Sequence, residues 1–195
     1  MQGELAMFRS IVAAALLSLS AVPQALAGPQ AEQVIERAAD RFQAGGFDTA
    51  DLRDTVDVSR IARFTLGRHA HGFSKADIER YTTAFEQFLI RTLNQEAGRF
   101  QGAKIRVSGS VDRAPKDSIV TTEVHVPGTS PETVRWRVLE RDGAWKVVDV
   151  EAFGLWLAIE QRAQVAAILD RRRAGIDAVI DALEPGRERL SGRAS

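Results

Sequence analysis

The sequence predicts an α+β fold, with one antiparallel sheet and a helical subdomain formed from both ends of the chain. Three observations predict it. Apolar residues recur at helical spacing before position 98 and again after position 154, and they alternate with a period of two in between. An Asp-Gly pair, Asp142-Gly143, stands inside the alternating region as a hairpin signal.

Val34, Ile35, Ala38 and Phe42 predict a helix over about 30–43, stopped by Gly45-Gly46. A short helix follows over 58–65, where Ile61, Phe64 and Thr65 share a face and Gly67 ends it. Ser74 and Asp77 form a capping box, after which Ile78, Tyr81, Phe85, Phe88, Leu89 and Thr92 keep the helical period.

Ile105 and Val107 then alternate, as do Val120, Thr122, Val124 and Val126 in VTTEVHV, before breaks at Pro127-Gly128 and Ser130-Pro131. Val134, Trp136 and Val138 resume the period. In the next strand, Trp145, Val147 and Asp149 are expected on one face, with Lys146, Val148 and Val150 on the other. Apolar residues on both faces imply helices over one side and a further apolar surface against the other. Phe153 and Gly154 turn the chain into a helix over about 155–172. Its expected stripe is Leu155, Ile159, Ala163, Ala166 and Leu169. Gly175 separates a last helix over 176–183, which Pro185-Gly186 stops.

The first residues carry a different pattern. Arg9 precedes the short apolar run IVAAALLSLSA, and Ala25-Leu26-Ala27 supplies a small-residue exit before Gly28. That is the pattern of a secretory leader, and the run is too short to span a bilayer as a helix. The expected organisation is a leader over 1–27, an α+β domain over 28–184 and a flexible tail over 185–195, with the exported protein soluble. Met7 is an alternative start.

Composition excludes several classes. With no cysteine there is no disulfide framework, cysteine zinc site, iron–sulfur cluster or thiol nucleophile. Lys+Arg and Asp+Glu are both 26, so the chain has no basic excess to neutralise nucleic-acid phosphates. His69, His71 and His125 lack zinc-binding spacing and read as surface or locally hydrogen-bonded residues; no metal or cofactor is expected. Asp51, Asp54 and Asp57 read as solvated residues at helix starts.

A catalytic reading needs Tyr81 and Asp149 to share a pocket, with burial among Val147, Val148 and Val150 raising the Asp149 pKa. The competing reading gives Asp149 a structural role, taking backbone N–H bonds near Gly154, and that reading is preferred. Trp136, Trp145, Phe153 and Trp156 crowd the last strands and their exit, either as core or as the wall of an apolar pocket.

Three stretches together resemble the MlaC/Ttg2D (toluene-tolerance) family of auxiliary components of phospholipid ABC transport. They are VDVSRIARFTLGRHAHGFSKADIERYTTAFEQFLIRT, VTTEVHVPG, and VRWRVLERDGAWKVVDVEAFGLWLAIEQRAQVAAILDRRRAGIDAVIDAL. The resemblance implies an NTF2-like curved antiparallel sheet and a helical subdomain that enclose lipid tails. It also implies a carrier without catalytic activity. Implied partners are a phospholipid, an inner-membrane ABC complex with an MCE-domain subunit, and an outer-membrane lipoprotein complex.

The family's F-x-L-G-R segment corresponds to Phe64, Leu66, Gly67 and Arg68, and its D-G-x-W-K-V-x-D-V segment to Asp142 through Val150. The chain departs from the family at His69, at Leu93 after Arg91-Thr92, at Trp156, and at Glu160-Gln161-Arg162, which keeps only the arginine. GLWLAIEQR is similar to the branch associated with hopanoids, which makes a polycyclic lipid the alternative cargo. The expected lipid-binding residues are Phe64, Leu66, Phe85, Leu89, Val124, Trp136, Val138, Val148, Phe153, Trp156 and Ile159. An NTF2-like enzyme with a buried carboxylate and a noncatalytic envelope assembly factor are the alternatives from other classes.

Overall fold

The computed structural model describes residues 28–44, 48–97, 102–171 and 174–184. The expected leader and tail lie outside the described residues. Helix α1 (Gly28–Gln43) is followed by α2 (Thr49–Thr55), α3 (Val58–Leu66), a 3₁₀ segment (Gly67–Gly72) and the long α4 (Lys75–Ala97). Strands β1 (Lys104–Ala114), β2 (Asp117–His125), β3 (Glu132–Arg141), β4 (Ala144–Ala152) and the short β5 (Leu155–Trp156) come next. Helices α5 (Leu157–Leu169) and α6 (Ile176–Leu183) complete the order. No described helix is long and apolar enough to cross a membrane.

Side chains set the helix starts. Asp48 and Asp51 form a capping box on α2, a helix the sequence reading missed because its seven residues are too few for a periodic stripe. Asp57 accepts the Arg60 amide at 3.0 Å and caps α3. Asp51 and Asp57 are thus helix-start groups, as expected, whereas Asp54 falls in the last turn of α2; Arg41 pairs with Asp51 at 3.1 Å and with Asp54 at 3.9 Å. Ser74 and Asp77 cap α4 reciprocally, as the sequence predicts.

The five strands pair in sequence order as an antiparallel meander. Two tight turns carry positive φ at both central residues, Asp142-Gly143 (53° and 81°) and Phe153-Gly154 (53° and 79°). This is the backbone that matches strand twist in a two-residue hairpin. Phe153-Gly154 therefore closes a hairpin into β5 instead of leading directly into a helix, and α5 begins at Leu157.

Register shifts after Val107, after Asp112 and between Arg137 and Val138 bend the sheet. The last one corrects the expected faces of β4. Val138 pairs with Val147 while Arg137 pairs with Asp149, so Val148 is the extra residue. Val147 and Val150 therefore share the face of Val120, Trp136 and Val138, whereas Asp149 stands with Arg137 on the other.

That other face is charged rather than apolar. Arg137 forks onto Asp117 at 3.1 and 2.9 Å, and Arg135 pairs with Glu151. The period of two in β3 already places Arg135 and Arg137 on this face, but it misplaces their β4 neighbours Asp149 and Glu151, because one bulged residue exchanges the faces beyond it.

Two apolar clusters result. Helix α1 lays Ala31, Val34 and Ile35 on Val120, Val138 and Val147 of the sheet. The second cluster belongs to the helical layer: Leu52, Ile61, Leu66, Tyr81, Phe85, Val165, Val179 and Leu183 draw α2–α4 and α5–α6 together, so both ends of the chain build it. Val56 packs against both clusters and forms a parallel bridge with Val147, where the Asp57 amide donates to the Val147 carbonyl at 3.0 Å.

Helix α5 buries Ala158, Val165 and Leu169. Its expected stripe is rotated, because Leu155 belongs to β5 and Ile159 points to solvent.

Candidate lipid-binding site

The eleven expected lipid-binding residues separate into three environments. Leu66 and Phe85 are buried in the helical cluster, and Leu89 packs half-buried against it. Val124 and Val138 are buried in the sheet, and Trp136 joins the cluster under α1 while donating its indole N–H to Thr122 Oγ1 at 2.9 Å. Val148 is half-buried at the bulge.

Phe64, Phe153, Trp156 and Ile159 lie instead where the sheet hands over to the helical layer. Phe153 is 81% exposed, Ile159 56% and Phe64 39%, and Trp156 is partly covered by the Arg135 guanidinium 5.9 Å from its ring centre. The structure therefore does not bring the eleven together around one space.

The sequence reading did not select Leu155 and Leu157, which are also exposed. Four of the six large apolar side chains left exposed among the described residues thus fall between Phe153 and Ile159. Isolated exposed leucines need no explanation, but a run of them does. Phe153 strengthens the point: a bulky residue at φ 53° with its ring in water is unfavourable in both conformation and solvation. Alternation of apolar residues from 153 to 159 is the signal that was available. It was absorbed into a helical stripe because β5 is only two residues long.

The described clefts lie elsewhere. One of about 670 Å³ runs between α3, the 3₁₀ segment and α4, and its lining includes Arg63, His71, Lys75, Glu79, Thr82 and Thr83. Another, of about 250 Å³, lies between α1 and α2 beside Arg37, Arg41 and Asp54. The smaller has polar walls unsuited to hydrocarbon, the larger sets Ala70, Phe73 and Ile78 among its charged groups, and none of the eleven expected residues lines either.

Tyr81 and Asp149 are each committed to other partners. Tyr81 is fully buried with its hydroxyl 2.9 Å from Thr65 Oγ1, and burial pushes its pKa up to about 12, so it stays protonated. Asp149 Oδ1 accepts the amides of Val150 at 2.8 Å and Ala158 at 2.9 Å. Burial raises its pKa above the ordinary carboxylate value, while those two amides and Arg137 hold it back. Both arrangements suit structural roles. His69 lies 3.2 Å from Asp170, which also accepts from Arg68 at 2.6 Å, and His125 lies 3.5 Å from Glu123.

A curved antiparallel meander, crossed by one helix and joined to a separate helical layer, is the fold of a solved phospholipid-binding protein. That protein comes from Ralstonia solanacearum and its structure holds a phospholipid. The two chains align with a TM-score of 0.66 at 18% identity, over 85% of this chain and 97% of that one. A search of curated proteins finds no match. The MlaC protein family model matches residues 33–185, and the chain belongs to that family.

Proposed function

We propose that this protein is a periplasmic phospholipid carrier without catalytic activity. Its acyl-chain site is formed at the junction of the sheet and the helical layer. The observation that carries the reading is the exposed apolar run from Phe153 to Ile159 at that junction. Membership in the MlaC family and the fold shared with a phospholipid-binding protein support it.

The energetics favour a site that opens. Burying about 30 methylenes at about 0.8 kcal/mol each gives roughly 24 kcal/mol, beyond the limit of noncovalent affinity. Part of that must be offset, and parting two apolar clusters is a suitable cost. Here the helical cluster and the α1–sheet cluster are distinct, with Val56 packed against both. Tails entering between them would reach Leu66, Phe85 and Leu89 on one side and Val138 and Val148 on the other, with Phe64, Phe153, Trp156 and Ile159 at the mouth. Val124 and Trp136 would line the sheet beyond them.

In this reading the carrier exchanges lipid with an inner-membrane ABC complex containing an MCE-domain subunit and with an outer-membrane lipoprotein complex.

The test is organic extraction and mass spectrometry of protein purified from the exported fraction. Near-stoichiometric phospholipid is the expected result. A hopanoid in its place would assign the cargo to polycyclic lipids, and a lipid-free protein that takes up nothing from vesicles would overturn the reading.

A further inference from the structure

We propose that Arg162 is the contact for the phosphate of the carried lipid, an assignment that rests on the carrier reading above. Arg162 follows Ile159 by three residues on α5, so the two are neighbours on the helix surface. Its guanidinium lies over the Phe64 ring, 5.1 Å from the centre. Gly67 closes in from the end of α3. A Cβ built there would stand 2.8 Å from Arg162 Nε, and φ is +55°, so glycine permits both the turn and the approach.

Arg162 is thus held between an aromatic face and a glycine backbone, but nothing neutralises it. Among the described residues it forms neither an ion pair nor a hydrogen bond. Arg68 is paired with Asp170, Arg135 with Glu151 and Arg137 with Asp117; Arg162 is solvent-exposed and, unlike the equally unpaired Arg63, is stacked on an aromatic ring. A placed guanidinium with free donors is built for a bidentate anion such as a phosphodiester. The exposed side chains on either side, Phe64 and Ile159, are apolar. A cation set between apolar side chains matches a phospholipid, with phosphate on the fork and the first methylenes on the rings and branches. A diacylglycerol or a hopanoid would leave the guanidinium unanswered.

The experiment offers delipidated residues 28–195 vesicles containing equal amounts of phosphatidylglycerol and diacylglycerol with identical acyl chains. The protein is recovered and the bound lipids are counted by mass spectrometry. The natural protein is expected to retain phospholipid over diacylglycerol by about tenfold or more. Arg162→Gln should lose most of that preference while total lipid bound stays near one per protein. Arg162→Lys should keep part of it, because charge remains while the fork and the stacking are lost. Phe64→Leu, which removes the ring beneath the guanidinium and leaves the charge, should fall between.

An unchanged lipid ratio in Arg162→Gln overturns the assignment, as does loss of both lipids from folded Arg162→Gln. Equal uptake of the two lipids by the natural protein overturns it while leaving the carrier reading intact. Uptake of neither removes the carrier reading itself.

Discussion

Asp149 on β4 caps α5. Its Oδ1 accepts the Ala158 amide at 2.9 Å, filling a role for which Trp156, the residue preceding the helix, offers no side-chain hydrogen bond. The junction of sheet and helical layer therefore depends on one sheet carboxylate placed by the bulge at Val148.

Asp149→Ala should cost about 1 kcal/mol through loss of the cap. Asp149→Asn keeps an oxygen for both amides and removes the charge. The folded carboxyl holds its proton to a higher pH than the unfolded one, whose ordinary value is 3.8. Its contribution to stability is therefore complete below that value and declines as pH rises through the folded pKa. Thermal melts from pH 3.5 to 7 should show Asn gaining on the natural protein as pH rises and then levelling off. A gap moving the opposite way would contradict the assigned environment.

Tyr81 and Thr65 make an asymmetric pair. Thr65 Oγ1 already donates to the Ala62 carbonyl at 2.8 Å, so the tyrosine supplies the proton between the two hydroxyls. Tyr81→Phe then leaves only an acceptor unused, costing about 1 kcal/mol, whereas Thr65→Val strands a buried donor at about 1–3 kcal/mol. Urea denaturation of both variants checks the order, and an equal or reversed order would refute it.

Phe153 should set stability against function. Asparagine tolerates positive φ in a two-residue turn, so Phe153→Asn is expected to stabilise the fold by roughly 1 kcal/mol while slowing lipid capture from vesicles. Faster melting together with unchanged capture would mean the ring serves the fold instead.

Phe85 and Ile159 separate core from mouth. Phe85→Ala removes a ring buried in the helical cluster and stacked 5.9 Å from Tyr81, and should cost about 3–5 kcal/mol. Ile159→Ser alters an exposed position and should change stability by about 0.5 kcal/mol or less while reducing lipid retention. Chemical denaturation and lipid counting, run on the same samples, distinguish the two effects.

The elements with strong local signals were legible in the sequence. The Ser74–Asp77 cap, the long helix behind it, Asp142-Gly143 and the alternating strands all appear where their side chains predict. What was not legible came from tertiary accidents of small extent. The bulge at Val148 exchanged the faces of β4, two residues of β5 displaced the start of α5, and the α2 helix was too short to show a period. The candidate site suffered most, because hydrophobicity marks what avoids water without saying which of two clusters, or neither, accepts it. Phe64, Phe153 and Ile159 have the same apolar character as Leu66 and Val138, and only the fold separates them by exposure.

The most direct measurement asks where the acyl chains lie. Trp136→Phe and Trp145→Phe leave Trp156 as the sole tryptophan, at the junction of β5 and α5. Loading that protein with a phospholipid brominated along its acyl chains should quench the Trp156 emission relative to the same lipid without bromine. Undiminished emission with brominated lipid demonstrably bound would place the chains elsewhere and contradict the account.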